Sequence, residues 1–392
     1  MAAKEKIQLK DKFLNVEKEL NEIFVERLEP IRGILLATLS ETNILFLGPA
    51  GVAKSAIIER WNKHITGAKY FYWLLTKFST PEEIFGPTSF KALAEEKYRR
   101  VTDGKISEAN SAFIDEIFKA NPSILNSMLT ILNERIFFND NEPTHIPLYT
   151  VAGASNEIPE SDDGLDAFYD RFLLKYVINY IQESGNFLKM ITASDIKDIP
   201  VVHTVTQEDI VTAQKLAKEV RIPKELYGHL EKLRKNLRIQ GFMTSDRAFK
   251  VSVRILKANA WLNGRDQLDT HDLEVLRHVV WKDPETRRKA QSIILELTSP
   301  EKNKIFEYYD NAMQLVTQID SKPAGKARKE LAMEAVSKLH DAKIDIGKLN
   351  DVITARGEAD AETKEILISI DRIIEDIYVN TLGLEKDQFT KK

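Results

Sequence analysis

Lys54 and Ser55 close the stretch Gly48-Pro49-Ala50-Gly51-Val52-Ala53-Lys54-Ser55, which follows the apolar run Ile44 to Leu47 and opens a helix-like pattern from Ala56. A strand, a glycine-bearing loop and a helix N-terminus in that order suit the phosphates of a nucleotide. Several backbone N–H groups and the positive end of a helix dipole can converge there on one anion. Lys54 then reaches the β and γ phosphates as a point charge, and the Ser55 hydroxyl ligates Mg²⁺. The general template has glycine just before the lysine, whereas Ala53 stands here. Its methyl group is small but limits φ.

Asp115 and Glu116 end the short apolar run Ala112-Phe113-Ile114. Ligands of open α/β sheets bind at the carboxyl ends of strands. Asp115 is therefore expected to accept Mg²⁺ and Glu116 to polarise an attacking water. Asn156 closes another apolar run, Leu148 to Ala154, and can hydrogen-bond a γ phosphate or that water. Arg171 precedes Leu173 to Ile178, and reads either as a salt-bridged surface residue or as a donor to a neighbouring subunit's nucleotide. Arg247 lies in the first turn of a helix capped by Ser245, where the dipole gives a cation no advantage. Function and packing both remain open for it.

The elements that must position these groups follow from pattern. Apolar spacing of three and four between residues 11 and 40 predicts amphipathic helices leading into the first strand. Tyr70 to Leu75 reads as a second buried strand, and Asp103-Gly104 predicts a hairpin over 98–106. A second hairpin is expected over 136–147, and a helix from Pro122 through Leu132. The pattern weakens over 183–204, then is helical over 208–220, 223–238, 246–263 and 271–281. Three further helical segments are expected over 285–320, 325–342 and 359–383, with weak turns near Gly347 and Gly357.

A chain of 392 residues, 43% hydrophobic and 30% charged, has room for two or three domains. Its net charge of -4 does not favour duplex nucleic acid as the main partner. No apolar run suffices to span a bilayer and the first residues lack the apolar core of a secretory signal, so a cytoplasmic protein without membrane insertion is expected. The absence of Cys excludes disulfides and thiolate metal sites.

The order of phosphate loop, acid pair, polar strand end, arginine before the last strand and arginine opening a later helix resembles an AAA+ ATPase over residues 10 to 285. GPAGVAKS, FIDEIFKANPSILNSMLTILNER, GASNEIPE, DAFYDRF and TSDRAFK are similar to the MoxR family and, within it, the RavA-like subgroup. The resemblance implies an α/β fold: a parallel five-stranded αβα core with N-terminal helices over 1–182, a linker over 183–204, a small all-α lid over 205–285, and a C-terminal helical bundle or stalk over 286–392. By this likeness Gly48, Pro49, Ala50, Gly51, Val52, Ala53, Lys54, Ser55 and Ala56 form Walker A with ATP as ligand. Asp115 and Glu116 form Walker B, with Ser55 and Asp115 holding Mg²⁺. Asn156 matches sensor 1, Arg171 the arginine finger and Arg247 sensor 2, the last on the nucleotide of its own subunit. A homo-oligomeric ring, a hexamer, that hydrolyses ATP to remodel a protein partner is the implied function, and a von Willebrand A domain protein the implied partner. A nucleic-acid motor with Lys97, Arg99, Arg100 and Lys105 in its pore, and a nucleotide-switched scaffold, are the alternatives.

Overall fold

Ile44, Leu45, Phe46 and Leu47 are all buried, and as β1 (Asn43–Leu47) they form an inner strand of a five-stranded parallel sheet. A run without polar alternation suits a strand covered on both faces. The computed structural model describes residues 3–140, 142–158, 165–355 and 361–384. The other strands are β2 (Tyr70–Leu74), β3 (Ser111–Asp115), β4 (Thr150–Ser155) and β5 (Phe172–Val177), in the order β2-β3-β4-β1-β5. Helices α1 (Ala3–Ile23) and α2 (Leu28–Ser40) precede the sheet, and α3 (Lys54–Lys63) follows β1. α2 lies against β1 and β5, and α3 against β3 and β4. A short helix, α4 (Asp166–Tyr169), leads into β5. This is an α/β fold built on a five-stranded parallel sheet.

Register decides where chemistry can occur. Leu47 pairs with Ser155 and Leu74 with Asp115, so the carboxyl ends of β1, β2, β3 and β4 share one edge. Asn43 pairs with Phe172, which puts the residue before β5 at the opposite edge.

The chain divides into two compact units, Met1–Tyr180 with Ser194–Gln291 and Ile181–Ala193 with Ser292–Lys392. In the first, the helices Gln207–Glu219, Lys224–Ile239 and α5 (Asp246–Leu262) follow the sheet. In the second, helices Pro300–Asp320, Lys326–Ala355 and Ala361–Asp376 pack around Ile305, Leu339, Ile346 and Ile370.

Several expectations need correction. β2 is an edge strand, with Tyr72 and Leu74 about half exposed rather than buried. Asp103-Gly104 does turn, yet the backbone of 99–101 pairs with 87–89, not across that turn. The run from Pro122 breaks into two helices at Met128, and Thr270–His278 is a 3-10 helix. The expected linker contains the helix Ser184–Thr192, which clusters with the second unit. Gly347 lies within the helix Lys326–Ala355, while Gly357 falls outside the described residues. The hairpin over 136–147 forms as antiparallel strands Ile136–Asn139 and Glu142–His145.

One buried cation gives the first unit a pH dependence. Lys175 of β5 is 5% exposed, and its Nζ donates to Val279 O (2.9 Å), Leu173 O (3.3 Å) and Phe172 O (3.4 Å). Burial pushes its pKa down to about 7. Above that value the unfolded chain binds the extra proton, so stability rises with pH. Between about pH 7 and pH 10 the free energy of unfolding is expected to climb with a slope approaching ~1.4 kcal/mol per unit. Chemical denaturation across that range should reveal the slope, and Lys175→Met should abolish it.

Candidate active site

The loop after β1 is shaped by backbone constraints that few residues tolerate. Gly48 has φ +150, and a Cβ there would lie 2.0 Å from Ile178 O. Its N–H donates to Ser155 O at 3.1 Å, fixing the loop to the end of β4. Ala53 takes φ 69, the left-handed conformation that the missing glycine would adopt freely. An L-residue there costs roughly 1–2 kcal/mol, a local strain sited at the start of α3.

Lys54, the first residue of α3, is 7% exposed and turns back over the loop. Its Nζ donates to Gly48 O, to Pro49 O at 3.0 Å and to Asn156 Oδ1 at 2.6 Å. Burial lowers its pKa, and the carboxylates of Asp115 and Glu116 oppose that shift. The Asn156 amide reaches the other way: Nδ2 donates to Glu116 Oε1 at 2.9 Å. The Ser55 hydroxyl donates to Asp115 Oδ2 at 3.3 Å. Five expected residues thus meet at one edge of the sheet: Lys54, Ser55, Asp115, Glu116 and Asn156.

These groups fit a triphosphate and a hard divalent cation. Ser55 and Asp115 supply paired oxygen donors of the kind Mg²⁺ takes alongside water and phosphate. Lys54 is held on loop carbonyls and an amide rather than by a direct carboxylate bond, so a phosphate can recruit it. Space above Gly51 is open, with nothing within 4 Å of a Cβ built there.

Arg171 and Arg247 lie elsewhere. Asn43 Nδ2 donates to Arg171 O at 3.0 Å, at the amino end of β1. The length of that strand alone separates this point from the loop by about 13 Å. Arg247, from the first turn of α5, donates to Asn133 Oδ1 (2.7 Å), Asp170 O (2.8 Å) and Asp170 Oδ2 (2.9 Å). Arg171 approaches the same Asp170 carboxylate at 3.7 Å. Burial, and then the nearby Arg247, lower the Arg171 pKa. α5 thus delivers Arg247 beside Arg171, where both share Asp170, and not into the Lys54 cluster.

Sequence reasoning missed two partners. Lys119 stands 3.2 Å from Glu116 Oε2, a contact that its i,i+3 spacing could have signalled. Asp170 anchors both arginines, and its only local clue is adjacency to Arg171.

A model described as the MoxR domain in the MoxR-vWA-beta-propeller ternary systems matches residues 11–217. The chain belongs to the MoxR family of AAA+ ATPases. A model of the AAA lid domain matches residues 225–294 of this MoxR protein. An uncharacterised protein of Methanocaldococcus jannaschii is 35% identical over 90% of this chain and 93% of its own length. A second uncharacterised protein of that organism is 40% identical over 72% of this chain and 75% of its own. A structural protein of Acidianus two-tailed virus is 27% identical over 54% of this chain and 36% of its own length. A crystal structure from Cytophaga hutchinsonii, described as that of a candidate ATPase, has a TM-score of 0.60 at 17% identity and covers 75% of this chain and 95% of that one. That likeness bears on the fold alone. Among the described residues no helix is long and apolar enough to cross a membrane.

Proposed function

We propose that this MoxR ATPase works as a homo-oligomeric ring, a hexamer of RavA-like type, that spends ATP hydrolysis on remodelling a protein partner in the cytoplasm. The observation that carries the reading is the separation of Lys54 from Arg171 and Arg247, which share Asp170 at the far edge of the sheet. In that arrangement neither arginine is engaged with its own loop. A complete site then needs two chains.

In this reading Gly48 to Ala56 wrap the phosphates, with Lys54 moving from Asn156 onto them. Ser55 and Asp115 would hold Mg²⁺, which supplies charge neutralisation when bound. Glu116 accepts the proton of the attacking water, and Asn156 orients that water. Arg171 and Arg247 of the adjoining chain bring positive charge to the opposite side of the same triphosphate. The von Willebrand A partner is supported by the naming of the matching MoxR model for ternary systems that include such a domain.

The nucleic-acid alternative loses support. Lys97, Arg99 and Arg100 pair with Glu95, Glu142 and Glu82, and Lys105 donates to Glu83 O, so the proposed pore cations are already neutralised or engaged. The direct test is specific activity against protein concentration, with Mg²⁺ and saturating ATP. Activity per chain is expected to rise steeply as chains associate. A flat line from nanomolar to micromolar protein would refute the two-chain site.

A further inference from the structure

Glu116 is followed at once by a single 3-10 turn, Ile117–Lys119, which is engaged on two sides. Towards the loop, Lys119 completes an alternating line of donors and acceptors, Lys54 to Asn156 to Glu116 to Lys119. Away from it, the Phe118 ring packs edge-on against Phe168 (centroids 6.4 Å apart, interplanar angle 87°) and tilted against Tyr169 (5.8 Å). Both partners belong to α4. That helix runs directly into Asp170 and Arg171, and Arg171 N donates to Phe168 O at 3.0 Å. Phe168 in turn packs on Phe172, the first residue of β5, at 5.6 Å.

Glu116 itself takes φ 51, a left-handed backbone that a non-glycine residue holds only under constraint. Here the constraint lies in the turn that carries Phe118. The ring therefore lies between the hydrolytic carboxylate on one edge of the sheet and the arginine pair on the other.

We propose that the Ile117–Lys119 turn couples the two edges of the chain, Phe118 being the positioning residue that passes a displacement of α4 to the Glu116 carboxylate. The inference rests on the two-chain site proposed above. When Arg171 and Arg247 leave Asp170 for the phosphates of an adjoining chain, the C-terminal end of α4 loses its tie to α5. The packed rings carry that shift to the turn, and Glu116 exchanges its hold on Asn156 and Lys119 for the attacking water. Nucleotide engaged at one interface thereby changes hydrolysis at the next. Couplings between sites are typically about fivefold to 150-fold.

The experiment measures ATP hydrolysis against ATP concentration for the full chain, at protein concentrations where it is assembled. Wild type is expected to give a sigmoidal curve with a Hill coefficient above one. Phe118→Ala is expected to give a hyperbolic curve, with nucleotide affinity of the dilute chain within about twofold of wild type. Phe118→Leu, which keeps apolar bulk and drops the ring, should fold like wild type in a thermal melt and also lose cooperativity, whereas Phe118→Tyr should retain it. A non-cooperative wild type, or a Phe118→Leu chain that folds and stays as cooperative as wild type, overturns the coupling. Arg171→Ala separates the two ideas. If it leaves assembled activity intact, the two-chain site falls; if it removes activity while Phe118→Leu stays cooperative, only the coupling falls.

Discussion

Glu116→Gln is expected to bind ATP and scarcely hydrolyse it, whereas Lys54→Ala is expected not to bind at all. The two substitutions touch the same hydrogen-bonded line at different points. Gln keeps an oxygen that can accept from Asn156 Nδ2, now 2.9 Å from Glu116 Oε1, so the site's shape survives. What it loses is a carboxylate able to take a proton, a function worth about 10²- to 10⁴-fold in rate. That corresponds to roughly 3–5 kcal/mol of barrier. Lys54→Ala removes the cation held under the loop, together with its bonds to Gly48 O, Pro49 O and Asn156 Oδ1. A fluorescent nucleotide titration and a phosphate-release assay on both variants separate binding from chemistry. Wild-type turnover in either would end the assignment of these residues.

Much of the loop edge could be read from sequence because its signals are local. A strand, a glycine loop and a helix start occupy consecutive residues, and Asp115, Glu116 and Asn156 each close an apolar run. Strand ends in a parallel sheet gather at one edge whatever the helices between them do. The surroundings of Arg247 are not legible in the sequence, for the opposite reason. Its position depends on how α5 packs against α2, a contact between residues far apart in sequence, and no local pattern encodes that. The helix Ser184–Thr192 is hard to read from sequence because it is only nine residues long and opens on Ser184-Gly185, a pair that signals a turn. The aromatic content of β2 suggests a buried strand, yet Tyr72 stacks on Phe113 while remaining half exposed at the sheet's edge. Ala53 is instructive in another way. Propensity argues against φ 69 for alanine, and the surrounding loop and helix impose it.

Arg171→Ala is expected to lower the activity of assembled protein by about 10³- to 10⁵-fold, the range for arginines donated to a phosphoryl-transfer site. Nucleotide affinity of the dilute chain should not change, because Arg171 lies at the amino end of β1 and Lys54 beyond its carboxyl end. Asp170 would remain occupied by Arg247 at 2.9 Å, so the fold near α4 should survive. The decisive form of the experiment mixes two inactive proteins. Glu116→Gln chains carry an intact arginine but no base, and Arg171→Ala chains carry an intact base but no arginine. Where they adjoin in the right order, one complete site forms from wild-type parts. Activity should therefore return on mixing and vanish again on dilution. If the mixture stays as inactive as its components, although light scattering shows that both have assembled together, Arg171 acts within its own chain and the two-chain site is wrong.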